Sequence, residues 1–243
     1  MDYVAGSISC VEASMNSVSF SQPSNVYSID GRILKIRGDI QGCEARVLTN
    51  IYREDINIVV WQRMLGQTLM NDVDAFLKSN PNFQASMIVT PQDVLSSLSQ
   101  ALGDKTQFEL AENITELVDM FCCLFDLKRV GLRLAALDRA MCPKFHADKI
   151  PCRLVTTFQG IATEWLPHQV VNRSKLGLGS KGKADHESGL YQNSHDIKQL
   201  NFGDVALLKG ELWEGNENAG LIHRSPALPS SERRLLLTLD FIG

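Results

Sequence analysis

His146 and Asp148 stand two positions apart in the run Met141-Cys142-Pro143-Lys144-Phe145-His146-Ala147-Asp148, which leads straight into the apolar stretch Ile150 to Phe158. If Phe145 to Asp148 form a strand, side chains two apart project from one face, so an imidazole and a carboxylate point into one space. Those donors suit a divalent metal. A second histidine would complete the triad of two histidines and one carboxylate that leaves open positions on a ferrous ion. His223, in Leu221-Ile222-His223-Arg224-Ser225-Pro226, is the candidate for it.

Other residues compete for the same chemistry. Cys142 lies four positions before His146 and could join a zinc site with Cys152, but no second close pair completes a four-ligand set. His168 follows Pro167 at an expected turn, and His186 and His195 sit in a polar loop, so all three read as solvated. Gly177 to Lys183 has the spacing of a phosphate-binding P-loop, yet Ala184 replaces the hydroxyl residue that would meet magnesium, which argues against a nucleotide site. Arg173, Lys175, Lys181 and Lys183 instead make segment 173–183 a basic loop that could face an anionic or macromolecular substrate.

The elements that must position these residues fall into two textures. Ile33 to Ile36, Ala45 to Ile51 and Ile56 to Trp61 are expected strands. Leu65, Leu69, Met70, Val73, Phe76 and Leu77 recur at helical spacing, and Pro81 ends that helix. Thr90 as cap, Pro91 in the first turn and Gly103 at the end bracket a second helix, whose buried stripe is Val94, Leu95, Leu98 and Leu102. A third runs from about Phe108 to Phe125, with Cys122 and Cys123 as core. After Lys128-Arg129 come short apolar runs separated by Gly, Pro and polar residues: Val130 to Leu137, Ile150 to Phe158, Ala162 to Leu166, Val205 to Leu208, Leu221 to His223 and Leu235 to Ile242. No helix-length pattern separates them, which favours a jelly roll over a parallel sheet. The expected fold is α+β, with N-terminal helices packed on a C-terminal double-stranded β-helix of jelly-roll, cupin-like form. Residues 1–128 would supply an arm, short strands and helices, and 129–243 the metal-binding barrel, as one compact unit. The Ser- and Asn-rich residues 1–30 read as a partly ordered arm.

The order HxD, Gly203-Asp204 turn and strand, His223, then arginine on the last strand resembles the Fe(II)- and 2-oxoglutarate-dependent oxygenases over roughly the C-terminal half. The resemblance implies iron ligands His146, Asp148 and His223, with an arginine that clamps the distal carboxylate of 2-oxoglutarate. Parity decides which arginine. Arg234, Leu236, Thr238 and Asp240 share one face, while Arg233, Leu235, Leu237, Leu239 and Phe241 share the other. The second face is apolar beyond Arg233 and suits packing on helices, whereas the first carries Thr238, whose hydroxyl could join Arg234 on the carboxylate. Arg234 is therefore the expected clamp, with Arg233 as the alternative.

A second resemblance covers more of the chain. Met141 to Asp148, Arg153 to Phe158, Thr163 to Pro167 and Arg234 to Asp240 are similar to a bacterial family known only as a domain of unknown function. Its members are often encoded near metal-chaperone GTPases of the zinc-homeostasis type, which implies an alternative: a non-catalytic, cupin-like protein that holds zinc.

Composition sets outer bounds. The 243 residues are 44% hydrophobic and 21% charged, with a net charge of -4. That is enough apolar content for a real core, and there is no global basic field to argue for nucleic acid. Met1 to Ser9 lacks the features of a secretion signal and no stretch approaches a membrane span, so a cytoplasmic protein with reduced thiols is expected.

Overall fold

Short β-branched and leucine-rich runs pair into two facing sheets in the computed structural model of the chain, which describes residues 26–29, 32–103, 108–230 and 232–242. Most of the expected N-terminal arm lies outside these residues. A hairpin of β1 (Val26–Ile29) and β2 (Arg32–Lys35) precedes β3 (Gly38–Gly42), which runs parallel to β4 (Ile56–Trp61). Between β3 and β4, Ala45–Tyr52 forms a 3-10 helix rather than the expected strand. The buried residues there are Leu48 and Ile51, three apart: helical spacing that would put them on opposite faces of a strand.

Helix α1 (Gln67–Ser79) buries Leu69, Val73, Phe76 and Leu77, and β5 (Gln84–Val89) follows it. Helix α2 (Val94–Leu102) begins later than the Thr90 cap implied, because Thr90 to Asp93 is occupied by a reciprocal turn. The Thr90 amide donates to Asp93 Oδ1 at 2.7 Å, and the Asp93 amide donates to Thr90 Oγ1 at 3.3 Å. The α2 stripe is Val94, Leu98 and Leu102, whereas Leu95 is 39% exposed. Helix α3 (Phe108–Phe125) buries Cys122 but leaves Cys123 exposed.

The remaining strands are β6 (Val130–Leu137), β7 (Cys152–Gln159), β8 (Glu164–Leu166), β9 (Lys198–Gln199), β10 (Val205–Lys209), β11 (Ile222–Arg224) and β12 (Arg234–Asp240). The large sheet has the order β3-β4-β10-β7-β12-β6-β5 and the small one β11-β8-β9. Phe145 to Asp148 is not a full strand. It touches the small sheet through a single antiparallel bridge between His146 and His223. From β6 onward the chain visits large, small (at His146), large, small, small, large, small and large sheets in turn, the winding of a double-stranded β-helix. Strands β3, β4 and β5 extend the large sheet on both sides, so residues before 129 share a sheet with residues after it.

The helices pack on the outer face of the large sheet. Leu235, Leu237 and Leu239 join Val73, Phe76, Leu98, Ile114 and Phe121 in one cluster. Each fully buried leucine there contributes about 1.5–3 kcal/mol through removal from water. The inner face carries a smaller cluster, including Val155, Trp165, Leu208 and Leu236, between the two sheets. No helix among the described residues is long and apolar enough to cross a membrane.

Candidate metal centre

His146 and His223 are held opposite each other by two backbone hydrogen bonds, each amide donating to the other's carbonyl at 3.1 and 3.0 Å. Their rings lie 4.7 Å apart, centre to centre. Nδ1 of His146 is 2.9 Å from the Lys144 carbonyl and Nδ1 of His223 is 3.3 Å from that of Leu221. A carbonyl only accepts, so each Nδ1 carries a ring proton and leaves Nε2 as the atom available to a metal. Both Nε2 atoms face Asp148, at 3.6 Å for His146 and 3.4 Å for His223. One ligand atom from each of the three residues lies within 4.8 Å of the others. Three donor atoms thus converge on one space that a divalent cation would fill. The donor set fits a two-histidine, one-carboxylate ferrous site.

Electrostatics keep the donors ready. Burial and the nearby His223 lower the pKa of His146 despite the opposing pull of Lys144 and Asp148, which favours the neutral imidazole that binds metal. Burial pushes the Asp148 carboxyl up, but the hydrogen bond and charge of His223, with Arg153 and His146, hold it down to about 2. Arg153 donates to Asp148 Oδ2 at 2.7 Å and, with its other nitrogens, to both Asp240 oxygens at 2.7 and 2.8 Å. The backbone of Asp148 is fixed too. Its carbonyl accepts from the Glu211 amide at 2.9 Å, and a Cβ on Gly210 would lie 2.9 Å from that same oxygen, so a side chain there would displace the ligand loop.

A narrow cavity of about 50 Å³ opens beside the triad, lined among others by His146, His223, Thr163, Ser225, Arg234 and Thr238. Arg234 is 1% exposed, and among the described residues its guanidinium donates to hydroxyls only: Thr163 Oγ1 at 2.7 Å, Ser225 Oγ at 3.0 Å and Thr157 Oγ1 at 3.1 and 3.3 Å. Among the described residues no carboxylate pairs with it. Burial pushes its guanidinium down to about 10. Gly160, with a φ of +89°, lets β7 pass under the start of β12, where a Cβ would sit 3.0 Å from the Arg234 Cα.

The expected site residues therefore separate by position. His146, Asp148 and His223 come together, and Arg234 and Thr238 line the adjoining cavity. Arg233 points elsewhere, 3.2 Å from Asp138. Cys142 lines the cavity, whereas Cys152 is buried in the helix-facing core, on the opposite face of β7 from Arg153. His186 pairs with Glu187 at 3.6 Å. Sequence reasoning missed Arg153 and the hydroxyl ring of Thr157, Thr163 and Ser225. The parity of β7 could have found Arg153 and Thr157, which alternate with Leu154 and Phe158.

The profile of a family described as "Protein of unknown function (DUF1826)" matches residues 42–240. No curated protein sequence matches the chain. Solved structures similar to it include the dioxygenase for auxin oxidation in rice, at 9% identity and TM-score 0.46, covering 85% of this chain and 83% of that one. The Arabidopsis thaliana dioxygenase for auxin oxidation 1 in complex with 2-oxoglutarate, at 8% identity and TM-score 0.46, covers 86% and 93%. A prolyl-4-hydroxylase of Pseudomonas putida, at 11% identity and TM-score 0.39, covers 82% and 99%.

Proposed function

We propose that this chain, which belongs to the DUF1826 family, is an Fe(II)- and 2-oxoglutarate-dependent oxygenase. The observation that carries the proposal is Arg234, a buried cation facing the cavity beside the triad and held, among the described residues, by hydroxyls alone. An unpaired charge in such a place costs several kcal/mol, and a bound carboxylate would offset that cost. His146, Asp148 and His223 would hold the iron, and Arg234 with Thr238 would hold the distal carboxylate of 2-oxoglutarate. Bound iron supplies dioxygen activation coupled to oxidative decarboxylation of the cosubstrate. The protein's own share is orientation: Arg153 holds Asp148, the paired backbone holds both imidazoles, and the sheets exclude water.

The cavity has room for only one or two waters as it stands, so the cosubstrate needs side chains at its mouth to move. Met141 lines that mouth and is 37% exposed. Exposed Lys181 and Lys183, with Lys144 donating to the Lys183 carbonyl at 3.4 Å, support an anionic substrate approaching over segment 173–183.

The test is anaerobic titration of the purified protein with Fe(II) and 2-oxoglutarate. A metal-to-ligand charge-transfer band is expected, and on admission of air succinate release without added substrate, both weakened in Arg234→Met. Tight zinc binding with no response to 2-oxoglutarate would overturn this reading in favour of a non-catalytic metal-holding protein.

A further inference from the structure

The segment between β8 and β9 reaches back to the metal centre through one carboxylate. Asp185, in the short helical turn Asp185–Ser188, is only 9% exposed although it belongs to an otherwise largely exposed stretch. Its Oδ2 accepts from the Phe145 amide at 3.0 Å and from Arg224 Nη1 at 3.3 Å. Phe145 immediately precedes His146, and Arg224 immediately follows His223. The same guanidinium stacks 4.2 Å over the Phe145 ring and donates to Glu164 Oε2 at 2.6 Å. Leu190 and Tyr191, from the same segment, pack with Phe145 and Ile222, the other neighbour of His223.

The His146 segment meets β11 through one bridge, with one further backbone hydrogen bond from the Ser225 amide to the Cys142 carbonyl at 2.9 Å, so few backbone contacts set the separation of the two histidines. One carboxylate oxygen that binds a group on each strand therefore acts as an external staple across the ligand pair. We infer that Asp185 is a positioning residue that sets the spacing of His146 and His223 for metal, and so couples metal binding to closure of the segment between β8 and β9.

The inference rests on the triad reading above. Coupling is reciprocal: if the seated segment favours metal, metal must favour the seated segment. The test uses Co(II) as probe in the full chain. Asp185→Asn keeps an acceptor for the Phe145 amide but loses the charge on Arg224. It should weaken Co(II) binding about tenfold or more, the usual effect of removing a partner behind a ligand, and change the Co(II) ligand-field spectrum, while the metal-free melting temperature stays within a few degrees. In the wild type, Co(II) should slow tryptic cleavage after Lys181 and Lys183, both exposed; the variant should lose that protection. Unchanged affinity and spectrum in Asp185→Asn would overturn the role. Should that variant not fold, the wild-type digestion decides, and cleavage indifferent to Co(II) would overturn it equally. A wild type that takes up no Co(II) would instead sink the triad reading itself, and the positioning role with it.

Discussion

Strand β12 separates two regions that differ in what they ask of a side chain. Toward the helices it presents Leu235, Leu237 and Leu239, all fully buried in one apolar cluster. Toward the small sheet it presents Arg234, Leu236 and Thr238, which line the cavity beside the triad. The outer face is dry and closely packed, and its buried residues contribute to stability in proportion to area. The inner face gathers a guanidinium and several hydroxyls in a place where burial penalises them. That difference separates a cost from its support: the inner face accepts a burial cost that a bound anion would offset under the proposed function, and the outer face supplies the stability that makes this tolerable.

The contrast can be broken at either face. Leu237→Ala, in the helix-facing cluster, should lose about 2–5 kcal/mol of stability, seen as a fall in melting temperature, with the metal affinity of the folded protein unchanged. Asp148→Ala should do the reverse: at least about a hundredfold weaker metal binding by titration, because under the proposed function it would remove a ligand rather than a supporting contact, with a much smaller change in melting. If Leu237→Ala impaired metal binding as much as folding, the two faces would not be independent.

Lys209 is the exception on the helix-facing side, since it pairs in register with Cys152 and points with it away from the cavity. It is 1% exposed, donates to the Arg53 carbonyl at 2.9 Å and lies 4.8 Å over the Trp213 ring. Burial, with the charge of Arg37, pushes its pKa from 10.5 down to about 8. An amine whose folded pKa lies below its unfolded value weakens the fold fully below about pH 8, and that penalty is relieved as pH rises toward 10.5. Wild-type stability should accordingly gain about 1–3 kcal/mol relative to Lys209→Met between pH 7 and 10, measured by urea unfolding at each pH. A difference independent of pH would mean that the ammonium is solvated.

Much of this division was legible in the sequence because both faces of β12 obey a period of two. Leu235, Leu237 and Leu239 against Arg234, Leu236 and Thr238 is a pattern that parity alone resolves. The helices were legible from their stripes for the same reason, at a period of 3.6. Boundaries were less so: the Thr90–Asp93 turn consumes the residues that looked like the start of α2, and Leu95, apolar but 39% exposed, belongs to no core. Ala45 to Ile51 misled because β-branched content outweighed the three-residue spacing of Leu48 and Ile51. Least legible were the supports of the site. Asp185 lies 39 positions from Arg224, and Arg153 lies 87 from Asp240. Pairing across such distances depends on how the chain winds between sheets, which no local pattern records.

Arg233 sharpens the comparison with the smallest effect. It is adjacent to Arg234 in sequence, carries the same charge and was the alternative clamp, but it belongs to the other parity. Its guanidinium sits 3.2 Å from Asp138, with side chains 37% and 52% exposed. An ion pair so accessible to water contributes about 0–1 kcal/mol. Arg233→Ala should therefore shift the melting temperature only slightly and change the 2-oxoglutarate dissociation constant by less than about twofold, against about tenfold or more for Arg234→Met, which would remove the proposed charge-assisted pair, worth about 1.5–3 kcal/mol. Isothermal titration of both variants side by side is decisive. If Arg233→Ala cost as much affinity as Arg234→Met, the anion would be drawn by net charge at the mouth rather than by a donor aimed into the cavity, and the parity of β12 would have no bearing on recognition.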